Sequence, residues 1–451
     1  MTPNQLKKLD GELSAFVGEM VEEMGRPERR AAMGHYITGL LLDGERKSVQ
    51  PMAARLSKDV AEADAMRQRL QDCVSLSSWS DDELLKRLAL KFDHELPGIE
   101  AFVVDDTGFA KKGTHSVGVA RQYSGTLGRT DNCQVAVSLH LAGHAGSGCI
   151  GMRLYLPEEE WASDKQRRAS AGVPDAVQFM TKWQIALMQI EQALAAGVRK
   201  HVVLADAGYG DATEFRGGVE ECGLDYLVAV SGVPTIWRPG VTPFIPEPPA
   251  VGRPSTRPTA HEEPISLSDF ARELKPKQFR TVSWRHGSKG RMSARFCAFR
   301  VYSAERHTKK ERLALKPIWL IIEETGEEKR PYKFYFSNMS ERTATKRLVT
   351  LIKLRWRIER DYQELKGEIG LDHFEGRTWR GFHHHAALCA VAHGFLALRR
   401  AFFPSAKDEL DTGRSTPSLT ANITETNRVV PAMCKADRRP ITTSSAITDV
   451  T

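Results

Sequence analysis

The chain has 451 residues, 41% of them hydrophobic, which is enough for a large buried core and for two or three domains. Lys and Arg number 64 against 57 Asp and Glu, and residues 1 to 95 hold 14 basic and 17 acidic side chains, so the basic excess lies downstream, where it permits an anionic partner without requiring one. Seven cysteines with no C-x2-C pair argue against a disulfide framework or zinc site. With no apolar run near the roughly 20 residues of a membrane span, reduced thiols and a cytoplasmic location are expected.

Residues 1 to 95 read as helical, with periodic apolar positions at Leu13, Phe16, Val17, Met20 and Val21 and again at Leu84, Leu85 and Leu88. They suit a helical N-terminal domain, either a binding module or a scaffold or dimer surface. From 96 to 231 the pattern alternates. Strands with glycine turns fill 100 to 157, including Gln134–Leu141, and then a helix over Asp175–Ala196 leads into Val202–Ala205. A further helix, Ala212–Cys222, leads into Asp225–Val230. That alternation predicts an α/β fold with a mixed or parallel central sheet.

Eight of the 22 prolines fall between Pro234 and Pro258, too many for an element interior, and strand-like runs at Arg295–Tyr302 and Ile318–Ile322 follow. Residues 232 to 333 therefore read as a β-rich insertion. Residues 334 to 403 return to the core through Lys333–Ser337 and a helix over Thr343–Glu368. After Phe403 no aromatic residue occurs, and disorder is expected from Pro404 through 451.

Two apolar runs end in carboxylates: Ala101–Val104 before Asp105 and Asp106, and Val202–Ala205 before Asp206. Such runs are strands buried on both faces, and an acid at their end needs a cation or hydrogen bonds to offset desolvation. Downstream, Arg355, Glu359 and Lys366 recur at spacings of four and seven, on one face of the predicted helix. Two strand-end aspartates and a helix glutamate could form a divalent-metal cage, flanked by cations for a phosphate backbone. A turn or cap aspartate and a solvated ion-paired helix face are the commoner fates of these residue types.

The ordered set of Asp105-Asp106-Thr107-Gly108-Phe109, Ala205-Asp206-Ala207-Gly208-Tyr209-Gly210 and Arg355-x3-Glu359-x6-Lys366 resembles the DDE transposases of bacterial insertion sequences. The similarity is greatest to the branch with a Tyr-x2-Arg-x3-Glu-x6-Lys signature. The stretches Lys112–Tyr123 and Gly370–Arg377 resemble that family too, and the likeness runs from about Phe102 to about Leu398. Ile352 stands where the signature has tyrosine. The resemblance implies a ribonuclease-H-like catalytic domain, a β-rich insertion before the glutamate helix that helps hold DNA ends, and cleavage and strand transfer at insertion-sequence ends. It implies terminal inverted repeats and target DNA as partners, a homodimer in the synapse, and DNA-end binding for residues 1 to 95 if they are not scaffold or dimer surface. A domesticated DNA-binding regulator and another nuclease of the same fold are the alternative readings.

Phosphodiester cleavage by two Mg2+ ions, about 3.5 to 4 Å apart, needs oxygen ligands from three carboxylates. Asp106, Asp206 and Glu359 are the expected set, with Mn2+ able to substitute and with Arg355 and Lys366 binding DNA. Asp105 and Asp106 point to opposite strand faces, and the family's aspartate directly before Ser or Thr favours Asp106. Glu364, five residues after Glu359, is turned about 140° away on a regular helix. His383, His384 and His385 cannot share a helix face, so with His393 they are expected at the surface or on the DNA backbone. Trp237, Trp284 and Trp319 are expected in the core, or stacked on a flipped base.

Overall fold

The computed structural model describes residues 2–247, 258–287, 290–305, 315–328 and 331–403. The tail expected to be disordered and Cys434 lie outside them. Five helices lead the chain: α1 (Pro3–Val21), α2 (Pro27–Leu41), α3 (Val49–Leu56), α4 (Val60–Ser75) and α5 (Asp81–Glu95). Local chemistry starts them where the sequence provides caps. Thr2 and Gln5 form a reciprocal capping box with Pro3 in the first turn, and Asp59 and Ser80 accept from the backbone of Glu62 and Glu83.

A mixed sheet follows. Strands β1 (Ile99–Ala110), β2 (Ala120–Ser124), β3 (Arg129–Gly143) and β4 (Ser147–Leu154) form antiparallel pairs about β3, which has β1 on one side and β2 and then β4 on the other. After α6 (Lys165–Ser170) and α7 (Lys182–Ala195), β5 (Val202–Ala205) runs parallel to β1. The short α8 (Ala207–Gly210) and α9 (Thr213–Glu221) bring the chain to β6 (Tyr226–Val230), parallel to β5. The expected alternation is therefore present, with α7 beginning at Lys182 rather than near Asp175.

The stretch read as an insertion contains β7 (Thr235–Trp237), β8 (Ile265–Ser266), α10 (Leu267–Glu273), β9 (Arg280–Gly287), β10 (Gly290–Ser303) and β11 (Ile318–Glu324). Its strands extend the same sheet, because β12 (Tyr332–Ser337) pairs with β6 and then β11, and β11 with β10. Trp237 is buried there, while Trp284 and Trp319 are half-buried beneath the cations of Lys353 and Arg300.

Beyond β12 come α11 (Thr345–Leu354), α12 (Trp356–Glu364), a single π turn over Leu365–Ile369, and α13 (Trp379–Phe402). The sheet has a core on each face. Phe102 and Val104 of β1 join the N-terminal helices and α13, whereas Ala101 and Val103 pack with Leu348, Ile352 and Ile358 of α11 and α12. This is the period-two alternation of a strand buried on both sides. Ile352 is thus a core residue of α11. The helices of residues 1 to 95 share one core with α13 and the sheet.

Helix α13 is buried around almost its whole circumference, which corrects the expectation for its histidines. All four are interior. His383 meets the carbonyl of Trp379 at 2.8 Å and the backbone N–H of Leu154 at 3.3 Å; His384 stacks on Trp79 and bonds its carbonyl. His385 bridges the Tyr36 hydroxyl and the Gly370 carbonyl, and His393 pairs with Glu364. Burial pushes His383 and His385 down to about 4, so these rings are neutral hydrogen-bonding core groups rather than phosphate contacts. The six described cysteines are free, five of them buried.

The packing of α5 against β4 leaves no room for a methyl group at Gly148. A Cβ there would stand 2.4 Å from Cζ of the buried Phe92 ring. Gly148→Ala is expected to destabilise the fold by about 1 to 3 kcal/mol, read from the midpoint of a denaturant transition. A midpoint unchanged within error would show that the ring yields freely.

Candidate active site

Asp105 and Asp106 lie within β1, and register decides which way each points. Asp105 is paired with Ser138 of β3 and belongs to the face that carries α11 and α12, as do Ala101 and Val103. Asp106 belongs to the face of Phe102 and Val104 and accepts from Lys182 Nζ, at the first turn of α7, at 2.8 Å. Asp206 follows β5, the parallel neighbour of β1. It caps α8, its Oδ1 accepting from the N–H of Gly208 at 2.9 Å. Gly210 closes that turn because a Cβ would stand 1.9 Å from the Ala229 carbonyl oxygen on β6.

The predicted helix over Thr343–Glu368 is broken at Arg355, between α11 and α12. At this break the Arg355 guanidinium turns toward the sheet. Nη1 donates to Asp105 Oδ2 at 2.9 Å and Nη2 to Glu359 Oε1 at 3.1 Å, so one cation joins a β1 acid to the helix glutamate. Lys366 follows in the π turn, where the regular spacing is lost, and its Nζ donates to the Gly108 carbonyl at 2.8 Å. Arg355, Glu359 and Lys366 thus all border the end of β1, although the break and the π turn replace the single helix face.

The electrostatics are those of crowded acids. Burial pushes the Asp105 carboxyl up to about 6; Arg355 pulls it down, while Asp206 and Asp106 add to the rise. Burial and then Asp106 raise Asp206 above the usual carboxylate range, against Arg355 and the backbone N–H groups of α8. Arg355 is itself half-buried, and the carboxylates of Asp105, Asp206 and Glu359 outweigh that burial and hold its proton more tightly. Burial brings the Lys366 ammonium down to about 8. Three aspartates thus meet two close cations, Arg355 and Lys182, and Glu359 reaches the group through Arg355 with its side chain 62% exposed. Among the described residues no three His, Cys, Asp or Glu side chains stand close enough together to hold one metal ion.

Glu364 is not part of this group. It is buried between His393, Arg400 and Arg360, consistent with its turning away from Glu359. Two residues that sequence reasoning passed over border the acids. Lys182 carries no local signal, since its partner lies 76 positions away. Tyr209 was visible only as part of the Asp206 motif; its buried hydroxyl has no hydrogen-bond partner among the described residues and lies in the field of Asp106, Asp105 and Asp206.

Comparison with known proteins gives this acidic cluster a context. A family model described as DDE superfamily endonuclease matches residues 19–291, a stretch that holds Asp105, Asp106 and Asp206 and ends before Glu359. The "Probable transposase for insertion sequence element IS701" of Microchaete diplosiphon is 31% identical over 196 residues, which is 43% of this chain and 46% of that protein. The chain therefore matches about half the length of this relative. Since the family model covers more than half of the chain, the protein belongs to the DDE superfamily endonucleases.

Proposed function

We propose that the protein is an insertion-sequence transposase that cuts DNA at the element's ends and joins it to target DNA. The observation that carries this reading is the acid cluster at the junction of β1 and β5, short of positive charge and linked to the helix glutamate through Arg355. The strand order supports it: an antiparallel β1, β3 and β4, extended on the other side of β1 by parallel β5 and β6, is that of a ribonuclease-H-like sheet. The named relative is a transposase, in line with this assignment.

By chemistry the donor types suit a hard divalent cation, since carboxylate oxygens are its preferred ligands; in this structure the described acids do not stand close enough together to hold one, and burial is the first cause of the raised pKa values of Asp105 and Asp206. Asp105, Asp206 and Glu359 would hold it. Asp105 replaces the expected Asp106 in this set because Asp105 shares the sheet face of α12 and is already joined to Glu359, whereas Asp106 is held by Lys182 on the other face. Bound Mg2+, or Mn2+ in its place, would supply an activated water or 3'-hydroxyl and charge on the leaving oxygen.

The chain's own groups do the rest. Arg355 keeps two mutually repelling carboxylates in reach of each other, and the Gly208 N–H fixes the Asp206 carboxylate. Lys366 brings an ammonium to the Gly108 carbonyl, beside the acids, where a phosphate can take it over. Water attack nicks the strand, and attack by a 3'-hydroxyl transfers it. Terminal inverted repeats and target DNA are the proposed partners, two protomers meeting on paired ends.

The test is an end-labelled duplex carrying the element's terminal repeats, incubated with Mg2+, with Mn2+ or with chelator. Site-specific nicks only with a divalent ion are expected; cleavage undiminished by chelator defeats the proposal. Lys366→Ala should weaken binding to that duplex and make its salt dependence shallower by about one unit of log K per log salt. An unchanged slope in a salt titration by anisotropy, with unchanged affinity, would refute the phosphate role of Lys366.

A further inference from the structure

Helix α12 buries Ile358, Asp361 and Glu364 at spacings of three, so they line one face. Two of the three are carboxylates, where an amphipathic helix ordinarily seats aliphatic side chains. Each meets a buried histidine from a different element. Asp361 Oδ2 is 2.7 Å from His140 Nδ1 on β3, and Glu364 Oε2 is 3.0 Å from His393 Nε2 on α13.

The first of these pairs belongs to a longer chain. Asp361 Oδ1 accepts from Ser147 Oγ of β4 at 2.7 Å. On its other side His140 Nε2 is 3.1 Å from Ser138 Oγ, which is 2.7 Å from the Tyr362 hydroxyl. Ser138 is the ladder partner of Asp105. The chain therefore leaves α12 two residues after Glu359, crosses β3 at the position adjoining Asp105, and returns to α12 at Tyr362. Arg355, between α11 and α12, keeps helical backbone angles, and Glu359 lies on the exposed side, so the buried face of α12 is what meets the sheet. Ile358 seats that face in the apolar core, and the two carboxylates add directional bonds to it.

We infer that Asp361 and His140, with Ser138, Ser147 and Tyr362, form a positioning network that registers the helix of Arg355 and Glu359 over Asp105. The inference rests on the proposed metal-dependent cleavage for its functional consequence, and on the hydrogen bonds alone for its structural one. His140 and Asp361 are positioning residues that touch neither substrate nor metal. A polar seat differs from an apolar one in that each bond requires one orientation, so the helix can occupy one register only when all partners are satisfied.

The test uses the full chain. His140→Leu removes both ring contacts at similar volume, whereas His140→Asn keeps an amide donor near the Nδ1 position. Four quantities are read: hydrogen exchange of the peptide spanning 356–364, turnover on end-sequence duplex, the Mn2+ concentration giving half-maximal cleavage, and duplex affinity by anisotropy. His140→Leu should speed exchange in that peptide while α1 to α4 stay unchanged, lower turnover roughly 10- to 100-fold and raise the Mn2+ requirement, with duplex affinity intact. His140→Asn should recover most of the turnover.

Unchanged exchange and turnover in a folded His140→Leu protein overturn the network, as does a loss shared by every peptide that His140→Asn does not rescue. Should His140→Leu fail to fold, Tyr362→Phe removes only the hydroxyl facing Ser138 and should act in the same direction, less strongly; no effect there counts against the network. A wild-type protein that does not cut end duplex with Mn2+ defeats the nuclease reading instead, and the exchange result then decides the positioning by itself.

Discussion

Asp206→Ala and Glu359→Ala are each expected to lower cleavage of end-sequence duplex by about a thousandfold or more, while duplex affinity changes little. The size follows from the proposed role as metal ligands. Divalent ions contribute several kcal/mol of transition-state stabilisation, and each 1.4 kcal/mol is a factor of ten in rate. Removing a carboxylate ligand forfeits much of that, yet takes no cation from the DNA-binding surface. Asp105→Ala should behave in the same way, because Asp105 shares the face of α12 and its carboxylate is tied to Glu359 by Arg355. Asp106→Ala should retain most activity, since it loses a pairing with Lys182 on the opposite face. Single-turnover cleavage beside an equilibrium binding curve separates the cases. Near wild-type cutting by the Asp206 or Glu359 variant sinks the site, and loss in Asp106→Ala with retention in Asp105→Ala returns the assignment to Asp106.

That choice between neighbours shows where sequence reading stops. The run Ala101–Val104 followed by two acids is legible as a buried strand, and period two separates Asp105 from Asp106. Which face the glutamate helix covers is fixed by the path of the chain after β12, some 230 residues later, and no local pattern encodes it. Lys182 is invisible for the same reason. The division of the helix at Arg355 carries no glycine or proline to mark it; the residue keeps helical backbone angles while its guanidinium reaches Asp105 and Glu359.

The histidines were a different kind of miss. Their polarity suggested the surface, but they sit in a run where Ala386, Ala387, Leu388, Ala390, Val391 and Ala392 leave no polar side, a pattern that signals a helix buried all round. The insertion was legible as strands. That they would prolong the central sheet, through β12 onto β6, follows from long-range pairing that composition does not report.

Glu364→Ala should cost about 3 to 5 kcal/mol of folding stability, more than most single substitutions in the chain. The carboxylate is buried beneath three partners: His393 Nε2 at 3.0 Å, Arg360 Nε at 3.0 Å and Arg400 Nη1 at 2.7 Å from both oxygens. Truncation leaves the partly buried Arg400 and the His393 ring without that counter-charge and acceptor. The same geometry gives the stability a definite pH dependence. Burial works against ionisation of Glu364, but His393 and Arg400 outweigh it and hold the folded carboxyl far below its ordinary value of about 4.3. A depressed folded pKa means that the unfolded chain takes up the proton first as pH falls. The contribution is therefore complete above the unfolded value and drains away below about pH 4.3, toward the lowered folded value. Denaturant midpoints of the wild type and Glu364→Ala at pH 7 and at progressively lower pH test this: the gap should be full at neutrality and narrow on acidification. A gap under about 1 kcal/mol at pH 7, or one that widens toward low pH, would show that the three partners do not hold Glu364 ionised in the folded protein.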